Sequence, residues 1–139
     1  MRVEVQWTHL TRRRDDRWSA GLSLYAYLPP DRDWLLYVGK ADFSSTRRRL
    51  HGAHKDDLFR FFRKRYGIDD VRVLHGELIL EPGRRRSSEL LADTESLLIM
   101  RLQPPGNIAS TKSRIQRPGL RVLCSGDWPF KRRGFRDTI

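Results

Sequence analysis

Apolar and polar residues alternate in two stretches near the start of the chain. Val3, Val5 and Trp7 alternate with Glu4 and Gln6, while Leu22, Leu24, Ala26 and Leu28 oppose Ser23, Tyr25 and Tyr27. A period of two marks a strand, so the first stretch predicts a half-buried strand and the second a strand with two tyrosines on one face. Pro29-Pro30-Asp31-Arg32-Asp33 is a turn by composition, and the apolar residues 34–38 follow it. Together these predict an antiparallel hairpin with Tyr25 in one arm and Tyr37 in the other. The second arm runs into Gly39 and Lys40, which predicts a strand that stops there at a sharp turn, with a phenol and a cation at its end. Residues 71–80 predict a third strand of this sheet, closed by Glu81-Pro82-Gly83, and Leu120, Val122 and Cys124 a last short one.

Helical periodicity occupies the remainder. Ser44, Ser45 or Thr46 can cap a helix carrying Arg47, Arg48, Arg49, Leu50, His51 and His54. Gly52 weakens its middle and allows a break before Asp56. Leu58, Phe59, Phe61 and Phe62 predict an apolar helical segment ending near Gly67. Another helix is expected over residues 88–102: Ser87 or Ser88 caps it, Glu89 and Asp93 suit its positive end, and Pro104-Pro105 stops it. Leu91, Leu98 and Leu102 share one face of that helix, and the position completing the face is Glu95. An ionised carboxylate without a partner is costly to bury, so Glu95 is expected either at the exposed edge of the stripe or bound to a cation. Helix geometry alone leaves both open.

A chain of 139 residues supports one domain and is too short for two comfortable cores. The expected class is α+β: a small antiparallel sheet of about three core strands, with terminal strands added, flanked by helices. Charge narrows the partner. The formal net charge is +11, and Arg12-Arg13-Arg14, Arg47-Arg48-Arg49, Arg84-Arg85-Arg86 and Lys131-Arg132-Arg133 are spread from end to end. Such a chain favours a polyanion, nucleic acid ahead of a membrane surface because no amphipathic basic helix stands out. Cys124 is the single cysteine, which excludes an intramolecular disulfide and a cysteine zinc cluster and suggests a reducing, cytoplasmic setting. No apolar run has membrane-spanning length, and Met1-Arg2-Val3-Glu4 lacks a signal peptide's apolar core. His51 and His54 stand three apart, but no further Cys or close His completes a zinc set.

Taken together, Ser23-Leu24-Tyr25, Tyr37-Val38-Gly39 with Lys40 and Ala41, an arginine-bearing helix, and Glu95-Ser96-Leu97-Leu98-Ile99 running through Pro104 to Asn107 resemble the GIY-YIG nucleases. The resemblance covers about Leu22 to Asn107 and leaves N- and C-terminal extensions outside it. Ser23 stands where the first motif usually has glycine, and the gap between Tyr25 and Tyr37 is slightly longer than the common form. The resemblance implies a one-metal DNA-cleaving site on the sheet, with Tyr25, Tyr37, Arg49 and Glu95 catalytic. It also implies substrate contacts from Gly39, Lys40, Arg47, His51, His54 and Asn107. Arg49-Leu50 matches the family's Arg-Leu pair, with Arg47 the alternative.

The chemistry can be read from the residues as well. Phosphodiester hydrolysis needs a nucleophilic water, a cation on the phosphate and help for the departing oxygen. Glu95 can anchor one Mg²⁺ or Mn²⁺ that keeps several waters. Arg49 offers a fork matching two phosphate oxygens, and Lys40 a point charge. Tyr37 or Tyr25 fits the family's water-activating tyrosine by position. Two other classes stand beside the endonuclease: an inactive nucleic-acid-binding module on the same fold, and a basic protein that coats RNA or DNA.

Overall fold

The alternating stretches all enter one sheet in the computed structural model, which describes residues 1–10, 21–41, 53–110 and 119–137. The strands are β1 Arg2–His9, β2 Ser23–Leu28, β3 Tyr37–Ala41, β4 Arg72–Leu80, β5 Arg121–Gly126 and β6 Gly134–Arg136. Two α-helices are described, α1 Ala53–Tyr66 and α2 Ser88–Leu102, and a 3₁₀ turn, Pro105–Ser110, follows the second. The chain is therefore α+β, as its patterning predicts.

Strand order is β3-β2-β4-β1-β5-β6. The expected hairpin forms: β2 and β3 are antiparallel, with Tyr25 opposite Gly39 and Tyr27 opposite Tyr37. The expectation of an antiparallel sheet is corrected, because β1 and β5 run parallel, Val3 in register with Val122 and Val5 with Cys124. A tight turn forces its two arms to be antiparallel, whereas the long connection through α2 leaves the direction of β5 open, and side-chain alternation does not encode it. β6, three residues around the buried Phe135, is too short to leave a pattern.

Two helices cover the two faces of this sheet. On one face Val3, Val5, Leu24, Ala26, Val38 and Val122 pack with Leu90, Leu97 and Leu98 of α2. Ser87 caps α2, its Oγ accepting from Leu90 N at 3.1 Å, and Gln103 ends it in a left-handed conformation before Pro104. On the other face Tyr25 and Tyr27 pack with Leu36, Phe62 and Val73 beneath α1. All six residues of β2 are consequently buried, so both sides of this alternating strand are covered. The polar tips of tyrosines mimic a solvent-facing side in the pattern, although their rings supply most of a core's contact area.

The second arm of the hairpin is displaced from its expected place. It begins at Tyr37 and continues to Ala41, so Gly39 lies inside β3 and ends nothing. No helix among the described residues is long and apolar enough to cross a membrane.

Candidate active site

Three tyrosines gather on the α1 face of the β2–β3 hairpin. The Tyr27 and Tyr37 rings stack at 5.5 Å between centroids, Tyr25 and Tyr37 stand 6.0 Å apart, and Tyr25 and Tyr27 5.4 Å apart. Gly39 is what lets Tyr25 lie down. A Cβ added there would overlap the Tyr25 ring, 2.7 Å from its Cε2. The glycine thus serves close cross-strand approach of a ring, where the sequence suggested a turn.

Into this cluster α1 sends Lys55, fully buried, with Nζ 3.8 Å from the Tyr37 ring centroid and 5.0 and 5.7 Å from those of Tyr25 and Tyr27. Burying an ammonium group is costly, and the negative faces of the aromatic rings offset part of that cost. The phenols are not equivalent. Tyr27 is fully buried, its hydroxyl without a hydrogen-bond partner among the described residues. Burial first, and the neighbouring Tyr37 second, push its ionisation far above the ordinary phenol range, so Tyr27 stays neutral. Tyr25 is buried as well, whereas Tyr37 is half-buried and so the phenol of the three with most access to solvent.

Asn107 acts on the same strand from its open side. β3 is an edge of the sheet, so the N–H and C=O of Val38 point away from β2. Asn107 occupies both: Val38 N donates to its Oδ1 at 2.8 Å, and its Nδ2 donates to Val38 O at 2.8 Å. The neighbouring Gly106 N donates to Leu36 O at 2.8 Å. Asn107 is buried, with both arms of its amide engaged by backbone, and in this structure it completes the edge of the strand that carries Tyr37.

The remaining expected residues divide. Lys40 lies on the opposite side of β3 from Tyr37 and Gly39, the side that α2 covers, and it is half-buried. Glu95 is half-buried on α2, beside the buried Leu91 and Leu98, which matches a place at the edge of the apolar stripe. The hairpin therefore brings Tyr25, Tyr37 and Gly39 together, with Asn107 bound behind them, while Lys40 lies on the other face of the strand, the face covered by α2, the helix that carries Glu95. Arg47, Arg49 and His51, and the capping serines before them, lie outside the described residues. His54 falls in the first turn of α1, and its side chain is likewise outside what is described.

A resident metal can be weighed against these donors. No group of three His, Cys, Asp or Glu among the described residues could enclose an ion. One half-buried carboxylate, Glu95, fits a hard ion held mainly by water and by a substrate phosphate, and does not fit a closed protein cage.

Two buried polar residues of the tyrosine face went unnoticed in the sequence. His75 on β4 is buried in register with Tyr25. Lys55 had a signal: it lies at i, i+3, i+4 and i+7 with Leu58, Phe59 and Phe62, a charge on an apolar helical stripe, just as Glu95 is. A cleft of about 650 Å³ opens between α1 and the start of β4, lined by Phe59, Phe62 and Val73, and it does not include the three tyrosines.

No family model, curated protein or solved structure matches this chain.

Proposed function

We propose that this protein is a divalent-metal-dependent endonuclease that hydrolyses DNA phosphodiester bonds at a GIY-YIG-type site. The observation that carries the reading is the meeting of Tyr25 and Tyr37, one from each short motif, across Gly39 with the buried Lys55 ammonium against them. A buried cation is expensive to keep, and its contact with the most accessible phenol gives it a chemical use. Positive charge beside Tyr37 favours its ionised form, and the phenolate so held takes a proton from the attacking water and returns to the neutral phenol as the water's oxygen bonds to phosphorus.

Arg49, with Arg47 as the alternative, holds two oxygens of the scissile phosphate, and Lys40 adds a point charge from the other side of β3. Glu95 would hold one Mg²⁺ or Mn²⁺, which would supply Lewis acidity at the phosphate. The net charge of +11 favours DNA as the partner.

The direct test is supercoiled plasmid incubated with the purified protein in Mg²⁺ and in chelator. Nicked or linear product that requires Mg²⁺ is expected. Retardation of the plasmid with no product in Mg²⁺ or Mn²⁺ would replace this reading with the inactive binding module.

A further inference from the structure

At the end of the sheet away from the tyrosines, three arginines stand in a row. Arg2 of β1 is in register with Arg121 of β5, and Arg121 with Arg136 of β6. Their neighbours Val3, Val122 and Phe135 point into the core beneath α2, so alternation sends all three arginines out of the opposite face, the same face that carries Tyr25 and Tyr37. All three are exposed. Between them the sheet is hollowed by about 290 Å³ over Leu123 and Gly134, and a Cβ placed on Gly134 would meet nothing within 4 Å.

Like charges directly opposite each other on neighbouring strands destabilise a sheet. No ion pair among the described residues relieves this row. The acidic side chains beside it form hydrogen bonds to other groups and no ion pair with the three guanidinium groups: Glu4 accepts from Ser125 Oγ at 2.8 Å, Glu81 from the Arg2 backbone N at 3.2 Å, and Asp137 from Gly119 N at 2.8 Å. Arg32, Arg60 and Arg63, by contrast, are matched to Asp31, Asp57 and Asp69. The row also has a firm base, because Arg101 of α2 donates to the carbonyls of Arg136 and Asp137 at 2.9 and 3.1 Å.

We propose that Arg2, Arg121 and Arg136 form a second DNA-contacting surface that holds the phosphate backbone of a duplex at a distance from the tyrosine site. The choice of DNA as the polyanion rests on the function proposed above; the existence of the row does not. Strands about 4.8 Å apart spread the three stems over about 10 Å, the rise of about three phosphates along one strand of a duplex. Each planar fork matches two phosphate oxygens, and contacts of this kind fix position without reading sequence. From β3 to β5 is about four strand spacings, roughly 19 Å, and the register puts the row about eight residues, roughly 27 Å, farther along the strands than Tyr37, so a duplex of about one turn, roughly 33 Å, reaches both sites.

The test measures binding of a fluorescent 20-base-pair duplex in chelator, where cleavage plays no part, from about 0.05 to 0.3 M salt. Wild type is compared with Arg2→Gln/Arg121→Gln/Arg136→Gln and with Arg32→Gln/Arg60→Gln/Arg63→Gln, which loses the same charge from arginines that already have acidic partners. The row variant should bind roughly tenfold or more weakly at 0.1 M salt, with a logarithmic salt slope smaller by about 2 to 3. The control should lose less than about one unit of slope. Equal losses in the two variants, or an unchanged slope in the row variant, would overturn the proposal. Its fate is separable from that of the nuclease: a protein that never cuts but loses slope only in the row variant keeps this surface and loses the catalytic reading.

Discussion

Lys55 places its ammonium 3.8 Å from the centre of the Tyr37 ring while being fully buried, a contact that joins the first turns of α1 to the edge strand β3. Lys55→Met keeps the unbranched stem and removes the charge. Under the proposed function, cleavage should fall about a hundredfold, the scale for deleting one group that stabilises developing charge. Melting temperature should change little, since the replaced cation was a desolvated one and the volume is conserved. Wild-type cleavage rates in the variant would reduce Lys55 to a packing element.

Glu95→Gln separates a metal-holding carboxylate from a structural one. Metal-dependent cleavage should drop to background and DNA affinity should stay, because no basic residue is changed. The melting temperature should hold or rise in metal-free buffer, as a neutral amide is easier to accommodate beside Leu91 and Leu98 than a carboxylate. Cleavage at the wild-type rate in Mg²⁺ would sink the proposed mechanism.

Asn107→Ala removes both hydrogen bonds to Val38 and strands a buried N–H and C=O on the β3 edge. Urea denaturation should report a loss of about 2–4 kcal/mol. Asn107→Asp should be nearly as harmful, because the carboxylate that replaces the Nδ2 donor would face the Val38 carbonyl. A stability within error of wild type would show that the edge is held by other groups.

Cys124 gives the pH prediction. Burial pushes its thiol up from 9.0 to about 12, against a smaller opposing effect of the charge of Arg133. The folded state thus keeps a proton that the unfolded state releases, so this contribution is complete below about pH 9 and is lost as the pH rises toward 12. Melting curves between pH 8 and 11 should fall more steeply for wild type than for Cys124→Ala. Parallel curves would contradict the burial argument.

Much of the fold was legible because burial repeats at the period of each element. Residues 88–102 carry a cap, a stripe and a proline stop, and α2 runs over those same residues. The hairpin was legible from two strand patterns around a proline-rich turn. What the pattern could not carry was which long-range neighbour each strand takes: the parallel direction of β5 depends on a crossover, and β6 is a single buried phenylalanine with two flanking residues. At the site, Tyr25 and Tyr37 could be placed together because a hairpin fixes its own register. Gly39 was misread because a glycine in a strand signals close approach as readily as a turn, and only the Tyr25 ring decides between them. Lys55 is not legible because a lysine's long apolar stem can lie along a helical stripe with its ammonium in water, so the pattern alone does not bury the charge.

The central place of β1 has a consequence for how the chain assembles. β1 precedes the other described strands in the chain yet is wedged between β4 and β5, and its end is tied to the far segment by His9 N donating to Asp127 Oδ2 across 118 residues. Such pairings lengthen the search for the native state, since the intervening chain must be brought round before they form. During synthesis, β2, β3 and β4 can associate early, and β1 can join β4, but the other side of β1 stays an unpaired edge until residues 121–126 leave the ribosome. Completion of the sheet on which the tyrosine cluster sits thereby waits for a strand more than a hundred residues downstream of β1.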